Sequence, residues 1–187
     1  TKYGAARAAL AAAGAPIDWR VPEPAPRDVL LGVHASAYVD AVLAAAVPAA
    51  IERRIGFPVS PAVARRSLLS VGGTLAAARV ALAQGYAANL AGGSHHAMPD
   101  GGAGYCVLND LAIATRALLA DGSVGRVLIV DLDVHQGDGT AVCLAGEPRA
   151  FTLSVHAERN FPVRKARSSL DVGLPDGMGD EAYLDAV

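Results

Sequence analysis

Metal- and proton-binding side chains crowd the end of one apolar run. In VLIVDLDVHQGDGT, residues 127 to 140, Asp131, Asp133, His135 and Asp138 follow four aliphatic residues suited to a sheet interior. Charged groups are expensive to bury unless they are paired or bound to a cation. In extended chain, residues two apart point to the same side, so Asp133 and His135 can converge on one ion, with Asp131 on that side too. Oxygen and nitrogen donors of this kind suit zinc, with iron as the alternative. An isolated acid–x–histidine at a strand end reads as solvated polar groups. Beneath a wholly apolar strand, solvation is the poorer explanation.

A second group lies upstream. His95 and His96 sit in AGGSHHAMPDGGAGYC, between glycine pairs that let backbone approach a ligand closely. Water on a catalytic zinc still needs a base, and histidine, with an ordinary pKa of about 6.5, is the natural one. Each imidazole needs a partner at its other nitrogen, and Asp131 and Asp138 are available. Adjacent histidines alone read as exposed loop residues. With the metal pair they make a self-consistent hydrolytic site.

The elements that must position these residues follow from periodicity and breakers. A strand is expected at 86–91 (YAANLA), followed by the long glycine-rich loop and by a helix capped by Asn109 or Asp110. Strands are expected at 126–133 and 149–156, with a helix beginning at Thr140 between them. That order predicts right-handed crossovers and a parallel sheet, with ligands beyond the carboxyl ends of its strands. Upstream, helices are expected at 3–13, after Asp28, and at 61–84, where Gly72–Gly73 is a weak point or a close contact. The end, GDEAYLDAV, reads as a helix capped by Asp180.

Composition bounds the rest. The 187 residues are 52% hydrophobic and 18% charged, as in a single globular domain spanning 1–187. A net charge of -2 gives no general reason to expect nucleic acid or an anionic membrane as partner. Two cysteines, Cys106 and Cys143, make no disulfide framework and point to a reducing, cytoplasmic setting. No apolar stretch is long enough to span a bilayer, and the alanine-rich start reads as a surface helix, not a leader.

AGGSHHA, GGAGYCVLND and VLIVDLDVHQGDGT together resemble the core motifs of the zinc-dependent histone deacetylases, of the arginase/deacetylase superfamily. The style is closest to class IV enzymes and their bacterial relatives, and the likeness extends from LLGVHASAYVDAV to LPDGMGDEAYLDAV. The resemblance implies a three-layer α/β/α fold and hydrolysis of the acetyl amide of lysine on a protein or peptide. It makes Asp133 and His135 metal ligands, His96 the general base and later the acid, and His95 its electrostatic or proton-relay partner. Asp131 and Asp138 orient the two imidazoles. Gly104 accepts the substrate amide N–H, Tyr105 and Phe161 line the acyl-lysine channel, and Asp131 with Ser154 falls where the family holds potassium.

The family's third metal ligand and its oxyanion-stabilising tyrosine have no counterpart here. The chain is therefore expected to be truncated at its C-terminus, and inactive by itself. Two rivals remain: a deacetylase of acetylpolyamines or other small acyl-amines, and a binding module that holds acyl-lysine without turnover. His34 and Tyr38 are expected to pack or bond locally, and His156 to be structural. Arg164, Lys165 and Arg167 read as a solvated loop, with contact to an acidic substrate tail as the alternative.

Overall fold

The computed structural model describes residues 2–187. Alanine-rich sequence forms helix wherever proline and glycine allow, giving α1 (Lys2–Ala12), α2 (Arg27–Leu30), α3 (Ser36–Leu43) and α4 (Ala49–Ile55). Asp28 does not cap α2; Pro26 holds that position, and Asp28 sits in the first turn, where its charge complements the helix dipole. Helix α4, which the sequence pattern did not announce, closes on Gly56 in the left-handed region.

Helix α5 (Pro61–Gln84) begins with Ser60 accepting from the Val63 N–H at 3.3 Å, and with proline at its first position. It runs unbroken through Gly72–Gly73. A Cβ at Gly72 would lie 1.8 Å from the Glu23 carbonyl oxygen, so this pair is a close contact with the proline-rich segment and not a weak point. Leu30, Val39, Val42, Ile55, Val71, Leu108 and Ile113 form the main core, which ties α2–α5 to α6 (Asp110–Ala120).

The strand expected at 86–91 is not formed. That segment is largely exposed and pairs with no strand; Asn89 instead donates to the Ser70 carbonyl and the Thr74 hydroxyl, each at 2.9 Å, fastening it to α5. Side-chain bonding to a helix stands where a strand ladder was expected.

The sheet is parallel, in the order β1 (Val127–Asp131), β2 (Ala150–Ala157), β3 (Leu170–Leu174), with Val127 opposite Ala150 and Leu153 opposite Leu170. Helix α7 (Asp138–Leu144) makes the crossover from β1 to β2, and α8 (Asp180–Ala186) follows β3, starting at Asp180 with Gly179 as its cap. On one face Ile129 packs on Ala112, Cys143 and Leu144 of the flanking helices. The opposite face presents Leu128, Val130, Phe151 and Leu170, 62%, 49%, 47% and 49% exposed. Parallel sheets are ordinarily covered on both sides, so this apolar face is built for a second layer.

Candidate active site

The site forms where β1 ends against the loop before α6. His95 and His96 are buried, and each places Nδ1 2.7 Å from a carboxylate oxygen: Asp131 Oδ2 for His95 and Asp138 Oδ1 for His96. An ionised carboxylate only accepts, so each imidazole carries its proton on Nδ1 and leaves Nε2 as the basic nitrogen. The two rings lie 4.0 Å apart between centroids. Burial works against charging His95, but the bond and charge of Asp131, with Asp133 and Asp138 behind it, outweigh burial and raise its pKa.

The loop is held to α7 by backbone contact. Thr140 N–H donates to the His95 carbonyl at 3.0 Å, and a Cβ at Gly139 would lie 2.5 Å from the Ala97 oxygen and 2.6 Å from that of His95. Glycine at 139 is what lets α7 carry Asp138 up to His96.

Asp133 and His135 lie beyond the strand, which stops at Asp131 and not at Asp133 as expected. They converge through successive tight turns: Asp131 Oδ1 accepts the Asp133 N–H at 3.0 Å, and Asp133 Oδ1 accepts the His135 N–H at 2.8 Å. Asp133 Oδ1 also stands 3.0 Å from His135 Nδ1. Two donors on a tetrahedral zinc, with bonds of about 2.0–2.2 Å, sit roughly 3.3 Å apart, so the couple fits two neighbouring positions of a divalent cation. Among the described residues, no group of three or more histidine, cysteine or acidic side chains is assembled around a metal position. Burial would raise the Asp133 pKa, but the His135 N–H and the nearby imidazoles outweigh it and lower the value, keeping the carboxylate ionised as a ligand must be.

Of the residues assigned to a channel, Phe161 and Gly104 meet here. Phe161 stands edge-on to His96 at 4.9 Å between centroids and reaches His135 at 6.0 Å. Gly104 lies between them: a Cβ there would be 2.6 Å from the His96 ring and 3.0 Å from Phe161. Tyr105 projects outward, 75% exposed, with its ring stacked on Phe57. Asp131 and Ser154 are register neighbours on β1 and β2. The Ser154 hydroxyl, however, bonds His156 Nδ1 at 3.0 Å and accepts the Gly137 N–H, while the Asp131 oxygens engage His95 and the Asp133 N–H.

Several residues that hold the site were not legible as functional. Asn109 caps α6 and also donates to the Ala97 carbonyl at 3.1 Å and to Thr140 Oγ1 at 3.2 Å. Asp110 accepts the Gly93 and Ser94 N–H groups and the Thr74 hydroxyl, fixing the turn before His95. His34 packs locally as expected, its ring 5.8 Å from that of Tyr38, but its hydrogen bonds are long-range: Nδ1 donates to the Met98 carbonyl at 2.9 Å and Nε2 accepts the Asn109 N–H at 3.0 Å. Burial holds its pKa down at about 4, against the pull of the Met98 and Pro99 carbonyls. Tyr38 likewise reaches across to the Val107 carbonyl at 2.7 Å. Gln136 bonds both backbone groups of Ala166 and the Asp171 carboxylate, bracing the loop that carries Phe161. Capping positions can be read from sequence, but partners 60 or more residues away cannot.

A parallel sheet with two imidazole–carboxylate pairs and an acid–histidine couple at its carboxyl end is an arrangement of the arginase/deacetylase superfamily. The chain belongs to the histone deacetylase domain family, whose model matches residues 2–187. It is 53% identical over 152 residues to an uncharacterized protein of Picosynechococcus sp., covering 81% of this chain and 51% of that one. It is 32% identical over 187 residues to histone deacetylase 8 of Arabidopsis thaliana (89% and 49%), and 37% identical over 145 residues to the acetoin utilization protein AcuC of Bacillus subtilis (72% and 37%). Among solved structures, an HDAC homolog from Aquifex aeolicus superposes with a TM-score of 0.74 at 28% identity, over 88% of this chain and 50% of that one. The chain thus spans between 37% and 51% of the length of these relatives. No helix among the described residues is long and apolar enough to cross a membrane.

Proposed function

We propose that this chain supplies the proton-handling half and two metal ligands of a zinc-dependent amidohydrolase that removes acetyl groups from lysine side chains. The observation that carries the reading is the convergence of both imidazole–carboxylate pairs with Asp133, His135 and Phe161. Asp133 Oδ1 and His135 Nδ1 would hold the ion, zinc first and ferrous iron as the alternative. When bound, such a cation polarises the acyl carbonyl and acidifies a water.

The chain's own residues do the rest. His96 Nε2 takes a proton from the attacking water, while Asp138 holds Nδ1–H and stabilises the imidazolium that forms. That proton then passes from His96 Nε2 to the departing lysine amine, giving acetate and the free side chain. His95, whose charged form Asp131 favours, places positive charge beside the developing oxyanion. The Gly104 carbonyl receives the substrate amide N–H, and Phe161 and Tyr105 flank the aliphatic stem. Asp131 with Ser154 would hold the potassium that the resemblance implies. Both cysteines are free and buried, which supports a reducing setting, the cytoplasm.

With two protein donors in place, the site needs at least one more, and this chain alone is expected to turn over little or no substrate. The test is hydrolysis of a fluorogenic acetyl-lysine peptide after chelation and stepwise return of zinc. It is run on this chain, on the longest polypeptide that contains it, and on Asp133→Ala of the latter. Zinc-restored turnover by the longer protein, lost in Asp133→Ala, supports the reading. Absence of turnover from every form, with acetylated spermidine cleaved instead, would transfer the site to small acyl-amines.

A further inference from the structure

The two segments that wall the mouth carry an uneven charge. Residues 53–66 hold Arg53, Arg54, Arg65 and Arg66 and no acid; residues 159–167 hold Arg159, Arg164, Lys165 and Arg167 and no acid. Half of the 16 basic residues of a chain whose net charge is -2 therefore lie in these two stretches. Between residues 94 and 107 the sole acid is Asp100.

The first segment is joined directly to the channel. Gly104 N–H donates to the Arg54 carbonyl at 3.0 Å and Tyr105 N–H to that of Ile55 at 2.8 Å. The Arg66 guanidinium lies 5.8 Å from the centre of the Phe57 ring, which in turn stacks on Tyr105. The second segment carries Phe161 itself, and Lys165 Nζ curls back onto the Asn160 and Pro162 carbonyls.

Six of these eight cations, all arginines, also lack a carboxylate partner among the described residues. Arg20, Arg27, Arg79, Arg116 and Arg149, elsewhere in the chain, each meet a carboxylate. The four arginines of 53–66 and both arginines nearest Phe161 form no ion pair among the described residues, and all six are exposed. Paired guanidiniums offer a partner little, whereas unpaired ones around an opening leave a positive field that focuses on it.

We infer that this basic rim selects acyl-lysine presented within an acidic stretch of polypeptide, the flanking Asp and Glu side chains lying over Arg54 and Arg66 on one side and Arg159 and Arg164 on the other. The inference rests on the amidohydrolase reading and sharpens its substrate class. It also disfavours polyamines, whose remaining ammonium groups meet like charge at the mouth.

The experiment compares acetyl-lysine peptides flanked by Glu, by Ser or by Arg, using the longest polypeptide that contains this chain. Binding is followed by fluorescence anisotropy and hydrolysis by kcat/KM, each at low and high salt. Acid-flanked peptides are expected to exceed base-flanked ones by about tenfold or more at low ionic strength, with the gap closing as salt shortens the Debye length. In Arg54→Glu/Arg66→Glu the ratio falls toward one or inverts. Equal binding of all three peptides overturns the rim, as does an oligonucleotide that binds more tightly than the acid-flanked peptide. Turnover without preference sinks the rim and leaves the amidohydrolase reading intact. Preference in binding without turnover does the reverse.

Discussion

The two imidazole–carboxylate pairs and the Asp133–His135 couple use the same chemical groups and are built in opposite ways. His96 and Asp138 are 42 residues apart, both buried, and joined across two loops; His95 and Asp131 are 36 apart and nearly as enclosed. Asp133 and His135 are two residues apart, with side chains 52% and 37% exposed, and they meet through a local turn. The buried pairs are finished by folding, because a protein interior fixes what water would otherwise compete for. The exposed couple is arranged but open, as the proposed role in taking up an ion requires. This contrast predicts that damage to the first region is paid in catalysis and stability, and damage to the second mainly in metal affinity.

The largest effect is expected at His96. His96→Ala removes the group proposed to receive and return the proton, so kcat should fall by about 10²–10⁴-fold with a small change in KM. Asp138→Asn keeps the size of the partner but removes its charge, and should lose less, with the pH–rate profile displaced. Steady-state kinetics of both variants across pH check this; equal, pH-independent losses would mean that the pair is structural only.

The brace behind the pairs comes next. Folding holds the His34 pKa at about 4 against an ordinary 6.5. A base whose folded pKa is depressed takes up its proton first in the unfolded state, so His34 contributes no pH dependence above pH 6.5. Between about pH 6.5 and 4 stability falls with falling pH, by about 3 kcal/mol in total, and levels off below. Denaturant titrations of the wild type and His34→Gln should differ by a curve of that shape. Asn109→Ala removes a helix cap and strips donors from the Ala97 carbonyl and Thr140, a loss of about 2–3 kcal/mol. Asn109→Asp keeps the cap but turns a donor into an acceptor facing a carbonyl, and should not restore stability.

What could be read from the sequence divides along the same line. The Asp133–His135 couple was legible because a spacing of two and chemical type define it. The pairs of His95 and His96 with Asp131 and Asp138, 36 and 42 residues apart, were legible only from the need of an imidazole for a carboxylate partner and from the family resemblance. So were α5 and the parallel β1–α7–β2 unit, where breakers and periodicity agree. The failures are non-local. The pattern at 86–91 suits a strand, but its fate depends on Asn89 finding Ser70 and Thr74. Strand β3 was hidden because Asp171 and Gly173 weaken its pattern, while its register is set by β2 and by Thr152 bonding to Ser169. His34 and Tyr38 look like a helical i, i+4 pair, and only the fold shows that both hold the backbone of the site loop.

The smallest change in stability is expected where the sequence signal was strongest. Asp133→Asn leaves an oxygen to accept the His135 N–H, in a side chain already half in water, so unfolding free energy of the metal-free protein should move by no more than about 0.5 kcal/mol. The same substitution removes the charge of the proposed ligand, and zinc affinity should fall by more than the roughly 10–100-fold typical of losing an outer partner. Calorimetric unfolding and a zinc titration on one preparation separate the two quantities. A large loss of stability with unchanged zinc affinity would make Asp133 a turn-forming residue, and the distinction between the finished and the open region would fail at its most exposed point.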